Sequence, residues 1–133
     1  MVFGLFQKKD TGASKAPVSV TTEFVPYKLK SKQRSASSFV IRVKNLTREP
    51  ALSSLMINVP NQISLDSMGI VKSKEVKIGT LQPNEEKETR IEVYGDVATD
   101  KGEYTITLTT YLHYRDYAHV LNAVTKRTTL QAV

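Results

Sequence analysis

Tyr104-Thr105-Ile106-Thr107-Leu108-Thr109-Thr110-Tyr111-Leu112 is the longest unbroken alternation in the chain. Tyr104, Ile106, Leu108, Thr110 and Leu112 fall on one side of a pleated backbone, and the residues between them fall on the other. A helix would scatter these side chains around its axis, so this stretch is a strand. Upstream, a turn over residues 95–102 separates it from Thr89, Ile91 and Val93, which alternate with Glu88, Arg90 and Glu92. Phe39, Ile41 and Val43 alternate in the same way with Arg42 and Lys44, as in a strand with one wet face. Val18, Val20, Thr22 and Phe24 form an earlier strand that Pro26 ends or edges. Leu52 to Val59 is a strand stopped by Pro60-Asn61, and Ile70 to Ile78 is another after a bend at Gly69. Residues 28–38 read as a polar connection, and residues 79–85 as a loop and turn. Asn45 to Pro50 is turn chemistry, with Asn45 available for a left-handed backbone. Downstream, Asp116 to Val124 fits either one face of a short helix or a strand, and is expected to be a loop or single helical turn. A last strand holds Thr128, Leu130 and Ala132 and begins as early as Ala123. About seven strands with turn signals between them predict an all-β fold of two packed sheets, with a barrel as the structural competitor.

Composition supports that reading. The 133 residues include 14 Val, 7 Ile and 14 Thr against 8 Ala, a balance that favours pleated surfaces over helices. With no Cys, disulfide frameworks, thiolate metal sites and cysteine nucleophiles are excluded. No apolar run approaches the ~20 residues of a membrane-spanning helix. Residues 1–6 are too short, and lie on the wrong side of the lysines, for a secretory signal. These features point to a cytoplasmic domain, with the inner membrane surface as a second location. Residues 1–34 carry seven bases and two acids, so most of the net charge of +6 sits in the N-terminal quarter. Residues 7–17 are small, polar and without hydrophobic period, which predicts a mobile basic tail over 1–17 and a folded domain over 18–133.

Two stretches resemble the immunoglobulin-like superfamily. Asp100-Lys101-Gly102-Glu103-Tyr104-Thr105-Ile106 is similar to its Asp-x-Gly-x-Tyr-x-Cys signature. That resemblance implies a tyrosine corner, with the Tyr104 hydroxyl bonded back to upstream backbone. Ile106 stands where antibody-type domains have their second Cys, and the chain has no Trp, so a reducing-compartment relative is implied instead. Lys77-Ile78-Gly79-Thr80-Leu81-Gln82-Pro83-Asn84-Glu85-Glu86 is similar to the Gly-x-Leu-x-Pro-Gly-Glu turn of bacterial and archaeal cell-adhesion-related (CARDB-like) sandwich modules. Asn84 replaces the usual Gly where positive φ is needed. Phe39 to Asn45 is similar to their second strand and its turn. The resemblance implies an immunoglobulin-like sandwich and an interaction or structural module.

Catalytic chemistry finds little material here. There is no Gly-x-Ser-x-Gly elbow and no glycine-rich phosphate loop, so no catalytic, cofactor or metal residues are assigned. His113, Asp116 and His119 have donor types suited to a metal, but the simpler reading is two imidazoles beside a wet loop. Recognition has more support. Tyr111, Tyr114, Arg115, Tyr117 and His119 crowd one segment, and Tyr and Arg bury large area while keeping a polar handle. They are the candidate partner-binding residues of a non-enzymatic binding or scaffold module. The partner is a protein or a second copy of the chain. Phe3, Leu5 and Phe6, followed by Lys8 and Lys9, are candidates for membrane-surface or partner contact. Lys28, Lys30, Lys32 and Arg34 keep nucleic acid as a further alternative, although only Tyr27 is there to stack a base.

Overall fold

A computed structural model describes residues 16–133, and they form eight strands. These are β1 (Val18–Val25), β2 (Lys28–Leu29), β3 (Ser35–Asn45), β4 (Ala51–Asn58), β5 (Ser73–Leu81), β6 (Glu86–Gly95), β7 (Gly102–His113) and β8 (Val120–Ala132). One sheet has the order β1-β3-β6 and the other β2-β8-β7-β4-β5. All pairs are antiparallel except β2 with β8. The fold is therefore an immunoglobulin-like two-sheet sandwich rather than a barrel.

The alternations read from the sequence fill the space between the sheets. Phe39, Ile41, Val43, Ile91 and Val93 from one sheet meet Leu55, Ile57, Leu81, Ile106, Leu108 and Leu130 from the other. Phe24 stacks on its cross-strand partner Phe39, with ring centroids 4.7 Å apart. Tyr104 is buried and its hydroxyl donates to the Asp100 carbonyl at 2.6 Å, which is the expected tyrosine corner. Asn84 takes φ 65°, as its place after Pro83 requires.

Four expectations need correction. Residues 28–38 are not simply a connection, because β2 pairs with Gln131 and Ala132 and β3 starts at Ser35. A single apolar residue, Leu29, is fully buried there and pins the chain as it crosses from one sheet to the other. β5 starts at Ser73 rather than Ile70, since the Asp66 carboxylate accepts the Ile70 and Val71 N–H groups and holds them in a turn. It runs on to Leu81, through a bulge opposite Ser53 and Ser54 where Gly79 takes φ 94°. Asn45 has no left-handed backbone. Its buried side chain builds the turn instead: Nδ2 donates to the Glu49 and Leu81 carbonyls, and Oδ1 accepts from the Thr47 N–H. Finally, β8 begins at Val120, so residues 120–124 are strand and not helix.

A candidate recognition loop at the β7–β8 hairpin

β7 and β8 pair along their whole length and leave residues 114–119 as the connection. This loop is closed by its own backbone, the Tyr114 N–H donating to the His119 carbonyl at 3.0 Å. Asp116 braces it from within. Its Oδ1 accepts the Ala118 N–H at 2.9 Å and lies 2.6 Å from His119 Nδ1. The His119 ring beside Asp116 holds that carboxyl below its ordinary range. Arg115 has φ 71°, a conformation rare outside Gly and Asn, and it turns the chain at the tip.

The candidate residues separate into two groups. Tyr114 and Arg115 are exposed at the tip, with the Tyr114 ring 5.1 Å from that of His119. Tyr111 and Tyr117 are half-buried over the outer face of the five-stranded sheet. There the Tyr117 ring meets His113 edge-on at 5.2 Å, and the Lys77 ammonium lies 5.1 Å from the Tyr117 ring centre. Beneath them His113 is buried, with Nε2 at 2.7 Å from Ser54 Oγ and Nδ1 left without a partner. His113 thus belongs to a packed cluster while His119 pairs with Asp116. Among the described residues, no three His, Asp or Glu side chains gather as metal ligands would.

Beside the tip lies an open groove of about 660 Å³. Tyr114, Arg115 and Leu121 form one wall, Arg48, Glu49 and Pro50 of the β3–β4 turn form the other, and Leu112 contributes to the lining. No local signal in the sequence marks Arg48. It joins the site because β4 pairs with β7, which carries the β3–β4 turn to the same end of the sandwich as the hairpin.

Three bases of the 28–34 connection have partners among the described residues. Lys32 pairs with Asp100, Arg34 donates to the Ser67 carbonyl at 3.2 Å, and Lys28 lies 5.4 Å from the Tyr27 ring centre. Phe3, Leu5, Phe6, Lys8 and Lys9 lie outside the described residues, as does most of the expected tail.

The chain matches no protein-family model and no curated protein. Among solved structures it is similar to a FixG-related protein from Vibrio parahaemolyticus, at 11% identity and a TM-score of 0.55 over 89% of this chain and 98% of that one. It is also similar to AvmM, which catalyses macrocyclization in alchivemycin A biosynthesis, at 7% identity and a TM-score of 0.52 over 87% and 88% of the two chains. PapD-like domain 7 of human CEP192 aligns at 12% identity and a TM-score of 0.47, over 100% of this chain and 96% of that one. At such identities the first two likenesses establish a shared sandwich fold and nothing about chemistry.

Proposed function

We propose that this domain is a non-enzymatic protein-binding module that recognises its partner through the β7–β8 hairpin tip. The observation that carries the reading is the exposed pair Tyr114 and Arg115 on a loop that the Asp116 bonds already hold in shape, beside an open groove. A preformed loop loses little entropy on binding, and tyrosine and arginine are among the side chains that most often dominate contact energy. Arg48 extends the charged part of that surface. Tyr111 and Tyr117 support the loop from the sheet face. The replacement of the superfamily's second Cys by Ile106 favours a cytoplasmic setting. Kinship with cell-adhesion-related modules rests on the Gly79 to Glu85 turn, with Asn84 at the left-handed position.

The test is a comparison of intact chains in a pull-down. Wild type is expected to retain a defined partner, and Tyr114→Ala and Arg115→Ala to lose it while keeping the wild-type urea midpoint. Retention unchanged in the double variant would overturn the reading.

A further inference from the structure

The two ends of the sandwich differ in charge. At the end of the β7–β8 hairpin, the connections 46–50, 82–85 and 114–119 hold two bases and three acids. At the other end, segments 26–34, 59–72 and 96–101 hold six bases and three acids. The three acids there are already engaged. Asp66 Oδ1 accepts the Ile70 and Val71 N–H groups, Asp96 Oδ1 accepts the Ala98 N–H, and Asp100 pairs with Lys32. Lys28, Lys30, Arg34, Lys72 and Lys101 have no carboxylate partner among the described residues.

The same end presents large apolar side chains. Met68, Ile70 and Val97 are 77%, 68% and 71% exposed. They stand on two loops that touch. A Cβ on Gly69 would come within 3.4 Å of Asp96 Oδ2, and Arg34, Met68 and Val97 line one open hollow. A single exposed aliphatic side chain needs no explanation, but three on neighbouring loop tips, among unpaired bases, make an amphipathic surface. Both tips also bond their own backbone. Besides the carboxylate bonds, the Gly69 N–H donates to the Asp66 carbonyl at 3.3 Å, the Asp96 N–H to Thr99 Oγ1 at 2.9 Å and the Thr99 N–H to the Asp96 carbonyl at 3.0 Å. Loops built this way leave water while stranding few donors, as entry into a lipid interface requires.

This combination identifies the partner by its chemistry. A nucleic acid would use the bases and leave the aliphatic side chains in water, whereas a bilayer with anionic headgroups uses both. We infer that this end of the sandwich docks on an anionic lipid surface, with Met68, Ile70 and Val97 in the headgroup boundary and the five bases against lipid phosphates. The chain enters β1 at the opposite end, where the Leu46 N–H donates to the Pro17 carbonyl at 2.9 Å. The surface uses none of Phe3, Leu5, Phe6, Tyr114 or Arg115, so it stands apart from the candidate N-terminal contact and from the hairpin tip.

Co-sedimentation of the full chain with vesicles tests this. Wild type is expected to bind phosphatidylcholine vesicles containing about 30% phosphatidylserine, and to bind pure phosphatidylcholine about tenfold or more weakly. Lys30→Glu combined with Lys101→Glu should weaken binding to the anionic vesicles by about tenfold or more. Met68→Ser combined with Val97→Ser should do the same, with the wild-type urea midpoint kept in both chains. Because the chain has no Trp, Val97→Trp should shift its emission to the blue on those vesicles, whereas Gln82→Trp in the β5–β6 turn should not. A wild type that ignores anionic vesicles would overturn the inference. So would binding that survives both double variants but is lost in Phe3→Ser with Phe6→Ser, which assigns the contact to the N-terminal segment. Tighter retention on duplex DNA than on vesicles, indifferent to Met68→Ser and Val97→Ser, would overturn it in favour of nucleic acid. Tyr114→Ala should leave vesicle binding unchanged, so this reading and that of the hairpin tip can fail independently.

Discussion

Two tyrosines ten residues apart sit in opposite environments, and substitution separates them. Tyr104 is 9% exposed and its hydroxyl closes the turn at Asp100. Tyr104→Phe leaves the Asp100 carbonyl short of a donor in a part-buried site, and the expected cost is about 1 kcal/mol or more by urea denaturation. Tyr114 is 46% exposed on a loop that closes through backbone and Asp116, so Tyr114→Ala should change stability by less than ~0.5 kcal/mol while abolishing partner retention. Arg115 adds a sharper contrast. Glycine suits its φ of 71° better than arginine does, so Arg115→Gly should hold or raise the urea midpoint even as binding is lost. An unfolded Tyr114→Ala domain, or a neutral Tyr104→Phe, would reassign these roles.

Among the elements, the short connections hold more information than their composition suggests. Asn84 at φ 65° between β5 and β6 predicts that Asn84→Gly is near neutral, while Asn84→Ala loses about 1 kcal/mol in the same denaturation assay. That position was legible in the sequence because Pro83-Asn84-Glu85 is a turn with a mechanism. The long alternations in β3, β6 and β7 were legible for the same kind of reason, since one wet face and one dry face leave a period of two. What escaped was non-local. Lys28-Leu29 has no period to detect, yet Leu29 is fully buried because β2 pairs with a strand a hundred residues away. Leu29→Ala is therefore expected to cost about 2–5 kcal/mol, like other large-to-small changes in a packed core. Val120 to Val124 misled for a related reason: its apolar residues lie on an exposed edge, so burial imposes no face on them. Of the proposed recognition surface, the hairpin residues could be read locally, whereas Arg48 depended on the β4–β7 register.

For the whole molecule, net charge and loop architecture together set the response to acid. Two loops at different parts of the sandwich are braced by an aspartate. Asp66 Oδ1 accepts the Ile70 and Val71 N–H groups at 2.8 and 2.9 Å, and Asp116 is held by His119 and the Ala118 N–H. The Val71 N–H leads in lowering the Asp66 carboxyl, and the His119 hydrogen bond leads in lowering that of Asp116. Both therefore lie below the reference value of 3.8 when folded. Near that pH the unfolded chain binds more protons than the folded one, so stability rises with pH. The stabilisation is complete above the unfolded value and is lost as pH falls through the lower, folded values. Protonation also adds to a chain already at +6, so self-repulsion acts in the same direction. The urea midpoint should stay level from pH 7 to about 5 and fall below about pH 4. A chain carrying both Asp66→Asn and Asp116→Asn should be weaker at pH 7 and show a shallower acid fall. An acid fall of equal depth in both chains would assign the pH dependence to net charge alone and remove the two braces from it.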